Sequence, residues 1–431
     1  MKLIEKINSL KNNASVMKYL KNTSWLLVDN ALKLIVGLFV GVWLARHLGP
    51  EEFGIYSYAI SFVAIFGGVA TLGLDSIVVR ELVKQEDRNA EILATTYVLK
   101  FIGATTAFLL LCIALILSSI SNEIKVISVI MGLTFLFQTF NVIKLYFQSI
   151  VKSKYFVMAN IMSVIISAAI KIALILSNAS LFDFAKVFLF DSFSLSLFLL
   201  YFYIKKTKLK NQNYLFNRIL ALDLIKDSWP LIFAAIASVI KLKLGHVMLG
   251  SLGSFNDVGY YSAALRISEL WFLIPVLLGS SIYPALIKAR KNSPNMLRAR
   301  VLIITKGMLV FSVPFAILVS VLSEFLMVFL FGVEYREAGH YLSIQIWSGL
   351  PYVVLFAYSQ VTYIENKTKI HLYLSILSII SIVIFNYWFI PVFGGIGAVY
   401  ASLITALLGS GLMIALVEKD TKIFTKGAKY V

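Results

Sequence analysis

The chain has 431 residues, of which 59% are hydrophobic and 14% charged, with a formal net charge of +17. A soluble chain carries about 25% charged residues and breaks its apolar residues into amphipathic stripes. Runs such as Leu34 to Leu44 and Phe101 to Leu117 are apolar on every side, which excludes a soluble enzyme and also the alternating strands of an outer-membrane barrel.

The class is therefore an all-α polytopic membrane protein, and at about 20 residues per crossing the apolar content fills about 12 helices. Residues 1–23 form a polar, basic tail without a small-residue cleavage pattern, so no removed signal peptide is expected. Helices are predicted near 24–46, 53–79, 92–118, 124–150, 155–177 and 182–204, a first six-helix bundle spanning 24–204. A Lys-rich linker, 205–228, follows. The second bundle, 229–417, is predicted from helices near 229–250, 258–287, 301–329, 338–363, 370–389 and 395–417, with a basic C-tail at 418–431.

Lys and Arg are retained in cytoplasmic loops. The tails, the linker and the loops on their side hold 27 of the 39 basic residues, including Lys2, Lys6, Lys11, Lys208, Lys210, Lys422, Lys426 and Lys429. The opposite loops hold Arg46, Lys125 and Arg336. This partition predicts both termini in the cytoplasm and accounts for the basic charge without nucleic acid. The lone Cys112 reads as a packing residue, and the four histidines lack metal-ligand spacing.

Ser24-Trp25 opens the first span and Ser228-Trp229 the seventh, 204 residues later. Leu48, Gly49, Gly54, Tyr56, Ser57 and Ala59 match Leu252, Gly253, Gly259, Tyr261, Ser262 and Ala264 at offsets of 204 or 205. The series predicts duplication of a six-helix unit, with two bundles related by a pseudo-twofold axis along the membrane normal, a layout suited to alternating access.

Nine basic residues remain inside the predicted spans. Lys100, Lys144, Lys186 and Lys306 lie close enough to span ends to snorkel toward the headgroups. Lys241 is about 18 Å into the bilayer by helix rise, while Lys33 and Arg266 are each about 12 Å in. With Lys171 and Lys243 these residues predict a wet, cationic cavity, because an isolated cation at the helix centre costs about 2.5–3.5 kcal/mol. Asp29 can pair with Lys33 and Glu269 with Arg266 on one helix face, whereas Asp191 has no obvious local partner. These three acids are the candidates for proton or sodium coupling, and no other cofactor is expected. Trp271 and Trp347 are candidates for stacking on a sugar or an acyl chain, with packing the plainer reading. Pro275, Pro314 and Pro351 predict kinks in second-half helices.

The segment Leu48-Gly49-Pro50-Glu51-Glu52-Phe53-Gly54-Ile55-Tyr56, with Gly73 and Arg80, resembles bacterial polysaccharide flippases of the O-antigen translocase (Wzx) type. So do residues 258–266 and 391–398, and these short structural motifs identify the multidrug/oligosaccharidyl-lipid/polysaccharide exporter superfamily better than a substrate. The resemblance implies a V-shaped transporter in the bacterial inner membrane that moves a polyprenyl-diphosphate-linked oligosaccharide to the outer leaflet. It also implies contacts with membrane lipids and with other polysaccharide assembly proteins. A multidrug and toxin extrusion antiporter is the alternative, and a membrane-embedded glycan polymerase a weaker one. An enzyme is disfavoured, because no Asp-x-Asp metal motif and no large outer loop is present.

Overall fold

The computed structural model describes residues 14–207, 214–367 and 369–421, with side chains at 14–16, 18–20, 272–281, 420 and 421 excepted. Pro275 and the distal tail and linker lysines named above lie outside these. All regular structure among the described residues is helical.

Helix α1, Ala14–Thr71, holds the first two spans and is broken at Gly49, whose φ of 69° and ψ of 174° are non-helical. Glycine carries no Cβ penalty at positive φ, and Pro50 supplies no amide to the turn before it, so the helix kinks there. The second span stops at Thr71 instead of residue 79, because Leu72 and Gly73 both take positive φ. Past this break, Asp75–Lys84 (α2) is a short separate helix, which the continuous apolar character of the sequence concealed.

Helix α3 is Asn89–Leu117; the fourth span is divided into α4 (Asn122–Gly132), α5 (Thr134–Gln138) and α6 (Val142–Ser149), with a 3₁₀ turn at Thr139–Asn141. Helices α7 (Lys154–Leu176) and α8 (Leu181–Lys206) complete the first half. The second half runs through α9 (Arg218–Leu252), α10 (Phe255–Asn292), α11 (Pro294–Val321), α12 (Ser323–Phe331), α13 (Ala338–Gln345), α14 (Gly349–Ile364), α15 (Lys369–Phe393) and α16 (Gly395–Thr421). Ten helical stretches among the described residues are long and apolar enough to cross a membrane. One of them, Lys21–Lys84, contains the two spans that meet at Gly49, and the 38-residue α10 is also long enough to cross. The total matches the twelve crossings expected.

The chain separates into two compact units. The first comprises the described residues up to His47 together with Phe62–Ile236; the second comprises Leu48–Ser61 and the described residues from Ala237 onward. In the first, Leu220, Ala221 and Leu224 of α9 join a core with Leu74, Val78 and Phe147. Helix α9 accordingly starts at Arg218, within the segment expected to be linker. Its first turns bury Leu220, Ala221 and Leu224 in this core, while Ile219 and Leu222 stay exposed.

The duplication is visible in the backbone. The breaks at Gly49 and Gly253 are 204 residues apart, and the tenth span carries a 3₁₀ turn at Ile346–Ser348 as the fourth does at Thr139–Asn141. Within the second unit, a Cβ at Gly54 would overlap the Phe255 carbonyl, and one at Gly259 would overlap the Pro50 carbonyl. These residues are exchanged by the 205-residue offset, so repeat-equivalent helices cross by a reciprocal backbone contact that only glycine permits. Helix α11 runs through Pro314 without a break, whereas Pro351 is the third residue of α14 and follows directly on the 3₁₀ turn at Ile346–Ser348.

Candidate functional site

The first unit has a polar interior. Asp29 of α1 is buried; its carboxylate accepts from Lys33 Nζ at 3.0 Å and from Asn160 Nδ2 at 3.1 Å to each oxygen. The Asp29–Lys33 pair anticipated from the four-residue spacing is present, and Lys33, with 43% of its side chain exposed, keeps its outer face open. Asn160, Ser163, Ser167 and Lys171 recur along one face of α7. This stripe meets α8, where Ser163 bonds Ser194 at 2.6 Å and Lys171 bonds Asp191 at 2.8 Å. Asp191, which lacks a local partner in the sequence, is therefore paired. The partner lies on the neighbouring antiparallel helix, where sequence spacing does not reveal it.

Two lysines expected at the headgroups turn inward. Lys100 is buried and donates to Asp75 at 2.5 Å. Lys144 of α6 lies 5.6 Å from the Phe156 ring centroid, with Lys33, Asp75, Asp29 and Lys100 as its charged neighbours. Three lysines against two aspartates leave this interior with one positive charge in excess. Residue depth alone misplaced Lys100 and Lys144; the available signal was Asp75, an acid beside Gly73 in an otherwise apolar run. Lys186 pairs with Asp183 near the start of α8, and Lys306 is exposed in mid-helix of α11.

Lys241, Lys243, Arg266 and Glu269 belong to the second unit. Arg266 does not pair with Glu269. Its guanidinium lies 5.5 Å from the Phe53 ring centroid, and Nη1 is buried without a hydrogen-bond partner. Glu269 stands in the field of Lys243 and Arg266 but forms no ion pair among the described residues. Lys241 and Glu269 line a cavity of about 290 Å³ with Tyr261, Gln345, Tyr352 and Ser402. The two tryptophans are held elsewhere. Trp271 stacks on Phe315 at 4.2 Å between centroids, and Trp347 Nε1 donates to Ser320 Oγ at 3.0 Å. Their faces and donors serve helix packing in this structure.

A family model described as polysaccharide biosynthesis protein matches residues 19–290, and one described as MatE matches 230–388. A protein of Shigella flexneri described as an O-antigen transporter is 35% identical over 95 residues, 22% of this chain and 21% of that protein. The match thus spans about a fifth of that relative's length. The fold is similar to that of the lipid II flippase MurJ in an inward closed conformation, with a TM-score of 0.73 and 16% identity over 91% of this chain and 87% of that one. It is also similar to an inward-facing multidrug resistance MATE family transporter of the MOP superfamily, with a TM-score of 0.66 and 16% identity over 90% and 95% of the two chains. At these identities the likeness is one of fold. The polysaccharide biosynthesis model covers more than half of the sequence, so the chain belongs to the polysaccharide biosynthesis protein family.

Proposed function

We propose that this multi-pass membrane protein is a flippase for a lipid-linked oligosaccharide, moving a polyprenyl-diphosphate-bound glycan from the cytoplasmic to the outer leaflet by alternating access, with both termini cytoplasmic. The observation that carries the reading is the cationic interior of the first unit, where Lys33, Lys100 and Lys144 outnumber Asp29 and Asp75 in a segment whose outside is lipid-like. A diphosphate and its sugars cross hydrocarbon at high cost, whereas the prenyl tail remains in lipid. These lysines compensate the first of these costs, with Lys33 and Lys144, the two that are not fully buried, as the groups that meet the diphosphate. The family membership, the Shigella relative described as an O-antigen transporter and the fold shared with a lipid II flippase support the same class.

The MATE-like fold and the second family match favour an alternative, a multidrug antiporter. A cationic drug fits poorly beside an excess of lysine. Coupling to a proton or sodium gradient belongs to the proposal, with Asp29, Asp191 and Glu269 as the membrane carboxylates through which it runs. Deleting the gene and following surface glycan and drug sensitivity side by side separates the readings. Loss of glycan with unchanged drug sensitivity is expected; the opposite pattern assigns an antiporter.

A further inference from the structure

The cavity inside the second unit differs in chemistry from the cationic interior of the first. Its ionisable lining consists of one cation, Lys241, and one anion, Glu269, and these do not pair with each other. One wall carries a fixed network, in which Ser402 Oγ donates to Gln345 Oε1 at 2.9 Å and Gln345 Nε2 donates to Ser348 Oγ at 3.4 Å. Beside it, Thr405 Oγ1 is buried without a hydrogen-bond partner. Buried polar atoms are ordinarily satisfied, so the unpaired Thr405 hydroxyl, with the carboxylate of Glu269 and the ammonium of Lys241 open to the same space, marks a site suited to a polar occupant. The remaining walls are apolar, with Tyr352, Pro351 and Leu355 among them.

Three ligand classes can be weighed against this lining. A prenyl chain would leave Glu269 and Lys241 desolvated against hydrocarbon, at a cost of several kcal/mol. A diphosphate would meet no net positive charge and a repelling carboxylate. A neutral sugar ring fits both parts, because its hydroxyl edge takes donors and acceptors while its C–H face lies on an apolar or aromatic wall. The volume, about 290 Å³, is at the lower edge of the roughly 300–1,000 Å³ range of small-molecule pockets, which suits a single ring better than a whole repeat unit.

We propose that this cavity is a subsite for one neutral sugar residue of the transported glycan, with Glu269, Lys241 and Thr405 bonding its hydroxyls and Tyr352 supporting its C–H face. The site would set glycan selectivity, separately from the lysines that meet the diphosphate. The inference rests on the lipid-linked substrate proposed above. Its test is equilibrium binding of the full chain in nanodiscs to farnesyl diphosphate and to farnesyl diphosphate carrying one glucose, galactose, rhamnose or N-acetylglucosamine. At least one sugar-bearing ligand should bind about 10-fold more tightly than farnesyl diphosphate, the worth of a hydrogen bond to a charged group. Tyr352→Leu and Thr405→Val should each reduce that gain while leaving farnesyl diphosphate affinity unchanged, which also reports correct folding. A gain that survives both variants, or a loss that affects the sugar-free ligand equally, overturns the subsite. Absence of any gain for every sugar does the same while leaving the flippase reading intact. Binding of neither ligand class overturns the lipid-linked reading and the subsite together.

Discussion

Replacing Lys144 by Gln removes the charge left over after the other two lysines of the first unit are paired. Lys100 is matched by Asp75 at 2.5 Å and Lys33 by Asp29 at 3.0 Å. Lys144 has the Phe156 ring at 5.6 Å and no ion pair among the described residues. A charge-assisted hydrogen bond from Lys144 to a diphosphate oxygen contributes about 1.5–3 kcal/mol, so Lys144→Gln should weaken diphosphate binding roughly 10- to 150-fold. The stacked cation itself contributes about 0.5–2 kcal/mol to the fold, so a modest fall in stability is also expected. The assay is complementation of the deletion strain, reading surface glycan per unit of protein in the membrane, with Lys306→Gln as the exposed control. Export should fall at least tenfold in the first variant and stay unchanged in the second. Normal export per protein in Lys144→Gln refutes the assignment, and export that falls only in proportion to abundance makes Lys144 a packing residue.

The Lys171–Asp191 pair should behave as a structural unit. Lys171→Leu or Asp191→Leu alone should lower thermal stability in detergent by about 1–3 kcal/mol, while the double variant recovers most of the loss; additive losses would contradict pairing. Gly54→Leu and Gly259→Leu force side chains into a backbone contact and should each cost about 1–3 kcal/mol or prevent accumulation, whereas Gly307→Ala, facing open space, should be neutral. Equal behaviour of all three would show that the crossing is not close-packed. With Cys112 replaced by Ala, a thiol at Glu123 should react with an impermeant reagent on intact cells and one at Lys205 should not; the reverse result inverts the topology.

The span count and the duplication were legible because both rest on long, repeated signals. Twenty-residue apolar runs persist through local irregularity, and the glycines at 54 and 259 are fixed by a close backbone approach that recurs in each half. The local pair Asp29–Lys33 was legible for the same reason, since an i, i+4 spacing fixes proximity on a helix. Longer-range contacts were not. Lys171 finds Asp191 and Lys100 finds Asp75 across neighbouring helices, and depth along a single helix gives no rotation toward one partner or another. Arg266 shows the converse, since its three-residue spacing from Glu269 permitted a pair that the nearby Phe53 ring displaced. Trp271 and Trp347 were ambiguous because an aromatic residue inside a span has the same sequence signature whether it packs or binds. The split fourth and tenth spans were hidden as well, since a 3₁₀ turn preserves hydropathy while changing the twist of the helix.

The measurement that bears most directly on the central claim is transbilayer movement in proteoliposomes containing the purified chain and a fluorescent polyprenyl-diphosphate oligosaccharide, read by quenching of the outer-leaflet fraction. The chain should accelerate movement of this lipid over protein-free vesicles, Lys144→Gln should largely abolish the acceleration, and a cationic drug in the same vesicles should not be moved. Movement of the drug together with an unaccelerated glycolipid would contradict the claim.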